Sequence, residues 1–87
     1  MELWVRSQDK MKLVSNCNLY ISTEMKNEYI VEDLNNKYLK LGTYKSKERA
    51  LEILDEIQER IIELDKAVIY SHISEEDYLN VYEMPEE

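Results

Sequence analysis

Apolar residues alternate with polar ones through the first half of the chain and recur every third or fourth position in the second half. Alternation marks strands with one face buried, and a spacing of three and four marks one stripe of a helix. Residues 2–44 read as a β-meander. Glu2–Arg6 and Met11–Ser15 flank Ser7-Gln8-Asp9-Lys10, a turn that Ser and Asp stabilise through local hydrogen bonds. Cys17–Ser22 is a third strand, with Cys17, Leu19 and Ile21 on one face. After the polar loop Glu24–Asn27, Glu28–Leu34 is a fourth. Asn35-Asn36 suits a turn, because Asn tolerates positive φ. Tyr38–Thr43 is a fifth, with Leu39 and Leu41 inward, and Gly42 marks a bulge or a close backbone approach.

Ser46 is an N-cap candidate, and Glu48 in the first turn suits the helix dipole. Ala50, Leu54, Ile57, Ile61, Leu64 and Val68 then fall 4, 3, 4, 3 and 4 residues apart. Leu51, Ile53 and Ile62 widen this seam, while Glu52, Asp55, Glu56, Glu59, Glu63 and Lys66 face water. A helix from Lys47 to Lys66 spans roughly 30 Å, long for a sheet of such short strands. Either the seam covers its own sheet, or its far end packs on a second subunit. Beyond the polar stretch His72–Asp77, Tyr78–Pro85 reads as a short strand that Pro85 ends. The pattern predicts a single α+β domain over residues 1–87. About five strands of a small antiparallel sheet, plus a short C-terminal strand, pack on one long C-terminal helix.

Size and charge narrow the function. An 87-residue chain with one cysteine has a small core and no disulfide framework. Assembly into a dimer or higher homo-oligomer is the expected extra source of stability. The lone Cys17 and the Met-Glu-Leu-Trp start, which is no targeting segment, point to the cytoplasm, and no apolar run is long enough for a membrane span. The net charge of −8 is uneven: residues 1–49 hold nine Lys/Arg against seven Asp/Glu, and residues 50–87 hold two against twelve. So acidic a chain is a poor match to a long nucleic acid, whose phosphates dominate binding. A small phosphorylated ligand held by a few local cations is compatible. Both charge blocks also read as solvated faces.

An enzyme is hard to assemble from these residues. His72 is the only histidine and has no acidic orienter at a fixed spacing. Cys17 alternates with Leu19 and Ile21, as a small core residue does. No Cys/His set has metal spacing, one glycine cannot build a phosphate loop, and Glu32 and Asp33 point to opposite faces of a strand. No catalytic residue, metal or cofactor is expected. Binding is easier to build. The Arg6 guanidinium can grip a phosphate with two parallel hydrogen bonds. Gln8 and Asp9 can read a sugar hydroxyl or a base edge. Ser46 and Lys47 begin a helix whose N–H groups favour an anion, with Arg49 one turn inside. Tyr44 can stack on a base, as can Trp4. Each has a structural alternative: Arg6 pairing with Glu2 or Asp9, Tyr44 packing against the helix before its cap, and Trp4 in a core or interface.

Arg6-Ser7-Gln8-Asp9-Lys10, Leu41-Gly42-Thr43-Tyr44, Glu48–Ile57 and the terminal Tyr82-Glu83-Met84-Pro85 resemble, in order along the chain, small phage and prophage proteins of the Thoeris anti-defence sponge type. The resemblance implies a small antiparallel sheet with a C-terminal helix, assembled into oligomers. It implies an activity of sequestration: binding glyco-cyclic ADP-ribose signals, or cyclic oligonucleotides, without cleaving them, inside an infected bacterial cell. The site residues named above rest on their own chemistry and not on the family's ligand contacts. The alternatives are an acidic phage protein that inhibits a host protein by direct binding, and a structural accessory protein.

Overall fold

In a computed structural model, residues 3–15, 17–70 and 80–87 are described, the side chains of 67–70 excepted. The strands are β1 (Trp4–Arg6), β2 (Leu13–Ser15), β3 (Leu19–Ser22), β4 (Tyr29–Asp33) and β5 (Leu39–Tyr44). Helix α1 (Lys47–Tyr70) follows, then β6 (Val81–Glu83). The fold is α+β, with six strands and one long helix among the described residues. The strands do not form one antiparallel meander. They divide into two three-stranded sheets, ordered β2-β1-β6 and β3-β4-β5. β6 joins β1 in parallel, with Val5 opposite Tyr82, so the first sheet is mixed. Alternation assigns faces but not partners, and the partner of β1 lies beyond the helix. Glu2, Tyr78 and Leu79 of the expected strands, Val68's side chain and His72 fall outside the described residues.

The central strand of the second sheet, β4, is covered on both faces. Ile30, Val31, Glu32 and Asp33 are all buried. Glu32 accepts a hydrogen bond from Tyr20 Oη across the β3–β4 pair. Asp33 Oδ1 accepts from the main-chain N–H groups of Asn18 and Asn35, both at 3.0 Å, and its Oδ2 from Asn36 Nδ2. Asp33 thereby caps a short 3₁₀ turn, Leu34–Asn36. The positive φ expected of Asn35-Asn36 falls instead on Lys37 and Tyr38, which follow that turn.

Both readings of Gly42 apply. Val31 pairs with Gly42 and Glu32 with Lys40, so Leu41 is the extra residue of a bulge. A Cβ on Gly42 would also lie 2.8 Å from Tyr44 Oη and 3.1 Å from Met84 Cε. The glycine is required for space, since its φ is not positive.

Helix α1 starts where the sequence places it: Arg49 N–H donates to Ser46 Oγ at 3.1 Å. Its 24 residues span about 36 Å. The stripe that faces the strands is rotated from the expected seam. Ala50, Ile53, Ile57 and Leu64 are buried, whereas Ile61 is 45% exposed. Arg60 takes the core-facing position between Ile57 and Leu64. It lays its guanidinium over the Tyr82 ring, 5.7 Å from the centroid, and donates to the Val81 carbonyl at 3.0 Å. The core joins Val5, Val31, Leu41, Tyr44, Ile53, Tyr82 and Met84 from both sheets and the helix.

Candidate functional site

The turn between β1 and β2 is held by its own side chains. Ser7, fully buried, donates from Oγ to Asp9 and accepts from Lys12 N–H at 3.0 Å. Asp9 also accepts from Met11 N–H and Lys12 Nζ, each at 3.0 Å. These bonds, that of Ser7 foremost, hold the Asp9 carboxyl well below its ordinary range. Arg6 Nη1 donates to the Lys10 carbonyl at 2.9 Å within the same turn. Arg6 and Asp9 thus fold the turn on which they sit, the Arg6 guanidinium is not directed at the helix start, and its expected partner Glu2 lies outside the described residues.

A pH dependence follows. Because Asp9's pKa is lower in the folded chain, its contribution is complete above the unfolded value of about 4. It disappears as pH falls through the folded value. In acid unfolding followed by circular dichroism, Asp9→Asn is therefore expected to be less stable than the parent at pH 7. The difference should shrink as pH falls below about 4, and a constant difference would contradict the assignment.

Gln8 ties this turn to two distant parts of the chain. Its N–H donates to the Leu41 carbonyl at 2.7 Å, and its Oε1 accepts from Thr43 N–H at 3.0 Å, so the turn docks on β5. Its Nε2 reaches the Pro85 and Glu86 carbonyls at 3.2 and 2.8 Å. Tyr44 Oη donates to the Pro85 carbonyl at 2.7 Å. Only 2% exposed, Tyr44 packs in the core and has no open ring face, which decides for packing against the helix over base stacking. Burial pushes its hydroxyl up to about 12. Trp4 lies half-buried on β1.

At the helix start, Arg49 Nε donates to the Glu87 main-chain oxygen at 2.9 Å and Nη1 to Glu52 Oε1 at 3.1 Å. Glu56, which accepts from Tyr82 Oη, has its other oxygen 3.8 Å from Arg49 Nη1. A cleft of about 270 Å³ opens here, lined by Thr43, Tyr44, Lys45, Ser46, Arg49 and the last two glutamates, Glu86 and Glu87. It unites three of the seven residues singled out in the sequence: Tyr44, Ser46 and Arg49. Gln8 adjoins it through Thr43 and Glu86, Lys47 is exposed beyond it, and Arg6 and Asp9 stand apart. Lys45 and Thr43 follow from their neighbours, but nothing local in the sequence announces the return of Glu86 and Glu87.

A second concavity, about 580 Å³, is apolar. Leu3, Cys17 and Leu19 line one side and Leu54, Ile57 and Ile61 the other. Burial, with Asp33 nearby, pushes the Cys17 thiol up to about 12, so it is a poor nucleophile at neutral pH. Among the described residues no group of three or more His, Cys, Asp or Glu is arranged to hold a metal ion, and no helix is long and apolar enough to cross a membrane.

Comparison with family models, curated proteins and solved structures finds no match to this chain.

Proposed function

We propose that this chain is a phage-encoded sponge that binds a cyclic nucleotide immune signal, of the glyco-cyclic ADP-ribose type or a cyclic oligonucleotide, and holds it intact in the cytoplasm of an infected bacterial cell. The observation that carries this reading is the cleft that gathers Tyr44, Lys45, Ser46 and Arg49 at the start of a long helix. Arg49 and Lys45 supply positive charge, and the capped helix end adds its dipole. At about 270 Å³ the cleft falls below the roughly 300–1,000 Å³ usual for small-molecule sites, so it suits the phosphate groups of such a signal, with the rest of the ligand outside it. Phosphate binding by positioned donors needs no catalytic group, and this reading assigns none. The test is to incubate the purified protein with cyclic ADP-ribose isomers and cyclic oligonucleotides, remove unbound ligand, and heat. Intact ligand released on heating is the expected result. Altered ligand would indicate an enzyme, and no retention would remove the sponge.

The groove favours a second reading. An apolar groove of about 580 Å³ beside an acidic helix surface is a place for a protein partner, as an inhibitor of a host protein would need. It also bears on assembly, which we propose is at least dimeric. Leu51, Ile61 and Ile62 are each 40% exposed or more on the same helix. Because Ile61 is half out of the core, Ile61→Lys is expected to fold normally but to raise the dimer dissociation constant at least about tenfold, read by sedimentation equilibrium. Unchanged assembly would take this face out of the interface, and a monomeric parent at high micromolar concentration would end the proposal.

A further inference from the structure

Three side-chain donors around the cleft, those of Tyr44, Gln8 and Arg49, are already occupied by successive main-chain oxygens of one segment. Tyr44 Oη donates to Pro85, at 2.7 Å. Gln8 Nε2 reaches Pro85 at 3.2 Å and Glu86 at 2.8 Å. Arg49 Nε donates to Glu87 at 2.9 Å. These donors come from the β1–β2 turn, from β5 and from α1, so three elements converge on one short stretch of backbone. The segment is anchored upstream, where Met84 N–H donates to the Arg6 carbonyl at 3.0 Å and the Met84 side chain is buried. Pro85, which has no N–H, ends the ladder. Beyond it, among the described residues, the backbone is held through its carbonyls, and Glu86 and Glu87 are exposed.

We infer that Pro85–Glu87 is a strap that walls the cleft and holds its donors as an internal substitute for an anionic ligand. Main-chain oxygens sit on the donors that phosphate oxygens would use, and two carboxylates add like-charge repulsion against an incoming anion. Binding in the cleft then requires the strap to leave beyond Pro85 while Met84 keeps its seat. Affinity is lowered by the fraction of time the strap is in place. This inference rests on the proposed reading of the cleft as an anion site, but it does not depend on which anion is the natural ligand.

The probe is inorganic pyrophosphate, titrated by calorimetry into three proteins: the parent, a chain ending at Pro85, and the full-length double variant Glu86→Gln/Glu87→Gln. The chain ending at Pro85 is expected to bind at least about tenfold tighter than the parent. The double variant keeps both main-chain oxygens and loses only charge, so it should gain less. In the parent, pyrophosphate should move the amide resonances of residues 86 and 87 towards random-coil positions, with those of 81–84 unmoved. Equal or weaker binding by the shortened chain, pyrophosphate binding with the 86–87 resonances unmoved, or no binding by any of the three would overturn the strap. If the strap behaves as expected while cyclic nucleotides are not retained, the sponge reading falls and the strap stands. Retention of cyclic nucleotides without an effect of shortening gives the converse.

Discussion

Asp33→Ala is expected to cost about 3 kcal/mol of stability and to lower Tm by more than about 10 °C. Asp33 is fully buried, yet one carboxylate satisfies two main-chain N–H groups and one side-chain amide. A hydrogen bond to a charged acceptor contributes roughly 1.5–3 kcal/mol, and an orphaned N–H costs about 1–3 kcal/mol when water cannot reach it. Asn18, Asn35 and Asn36 are exposed, so water recovers part of the loss and the estimate stays below the simple sum. Asp33→Asn keeps an acceptor oxygen and should cost about 1 kcal/mol. Asp33 also helps to hold the Cys17 thiol up near 12. Both variants should therefore lower the thiol pKa and speed its alkylation by iodoacetamide. Thermal unfolding and alkylation rates measure the two effects separately. Loss of stability with an unchanged thiol would mean that burial alone sets the Cys17 pKa.

Asp33 also shows where sequence reading stops. Alternation places Glu32 and Asp33 on opposite faces of a strand, as they are. It does not say that β4 is the middle strand of its sheet with both faces covered, so the burial of two adjacent carboxylates was not legible. The helix was more so. Its 3–4 repeat and Ser46 cap are local signals, and local contacts set them. Yet the repeat allows two neighbouring stripes, and the one that includes Arg60 faces the strands because its stem covers Tyr82 while its head reaches the Val81 carbonyl. A charged residue in that register hides the core-facing line from any count of apolar positions. Strand pairing was the least accessible part. The extent of each of β1 to β5 follows from its own residues to within about two positions. The match of β1 with β6, in contrast, depends on a return of the chain after the helix.

The candidate site divides the same way. Tyr44, Ser46 and Arg49 lie within six positions, so a strand end running into a capped helix brings them together whatever the rest of the fold does. Gln8 reaches Pro85 and Glu86 across 77 and 78 positions, and no spacing rule joins them. Arg6, in contrast, answers to its own turn. Chemistry alone ranked it with Arg49 as a phosphate donor, because a guanidinium on a strand looks the same in sequence whether it points to a ligand or to a carbonyl four residues on.

That difference yields the sharpest functional result expected: Arg49→Ala should weaken binding of the retained cyclic nucleotide by about ten- to a hundredfold, and Arg6→Ala should leave it within about twofold. Arg49 is a charged donor on the cleft wall, beside Lys45, and a hydrogen bond from a charged group contributes roughly 1.5–3 kcal/mol, which is one to two decades in affinity. The loss should fall towards the lower figure, because in the unbound chain Arg49 is not simply hydrated. Its Nε rests on the Glu87 oxygen and its Nη1 on Glu52, and binding exchanges the first of these contacts for a phosphate. The variant should remain folded, since exposed ion pairs of this kind contribute about 0–1 kcal/mol. Arg49→Lys keeps the charge without the planar fork and should lie between. Calorimetric titration of the four proteins, each checked by thermal unfolding, measures all of this. Equal losses for Arg6→Ala and Arg49→Ala would mean that the phosphates bridge the turn and the helix start. A loss confined to Arg6→Ala would move the site to the β1–β2 turn and leave the cleft without its ligand.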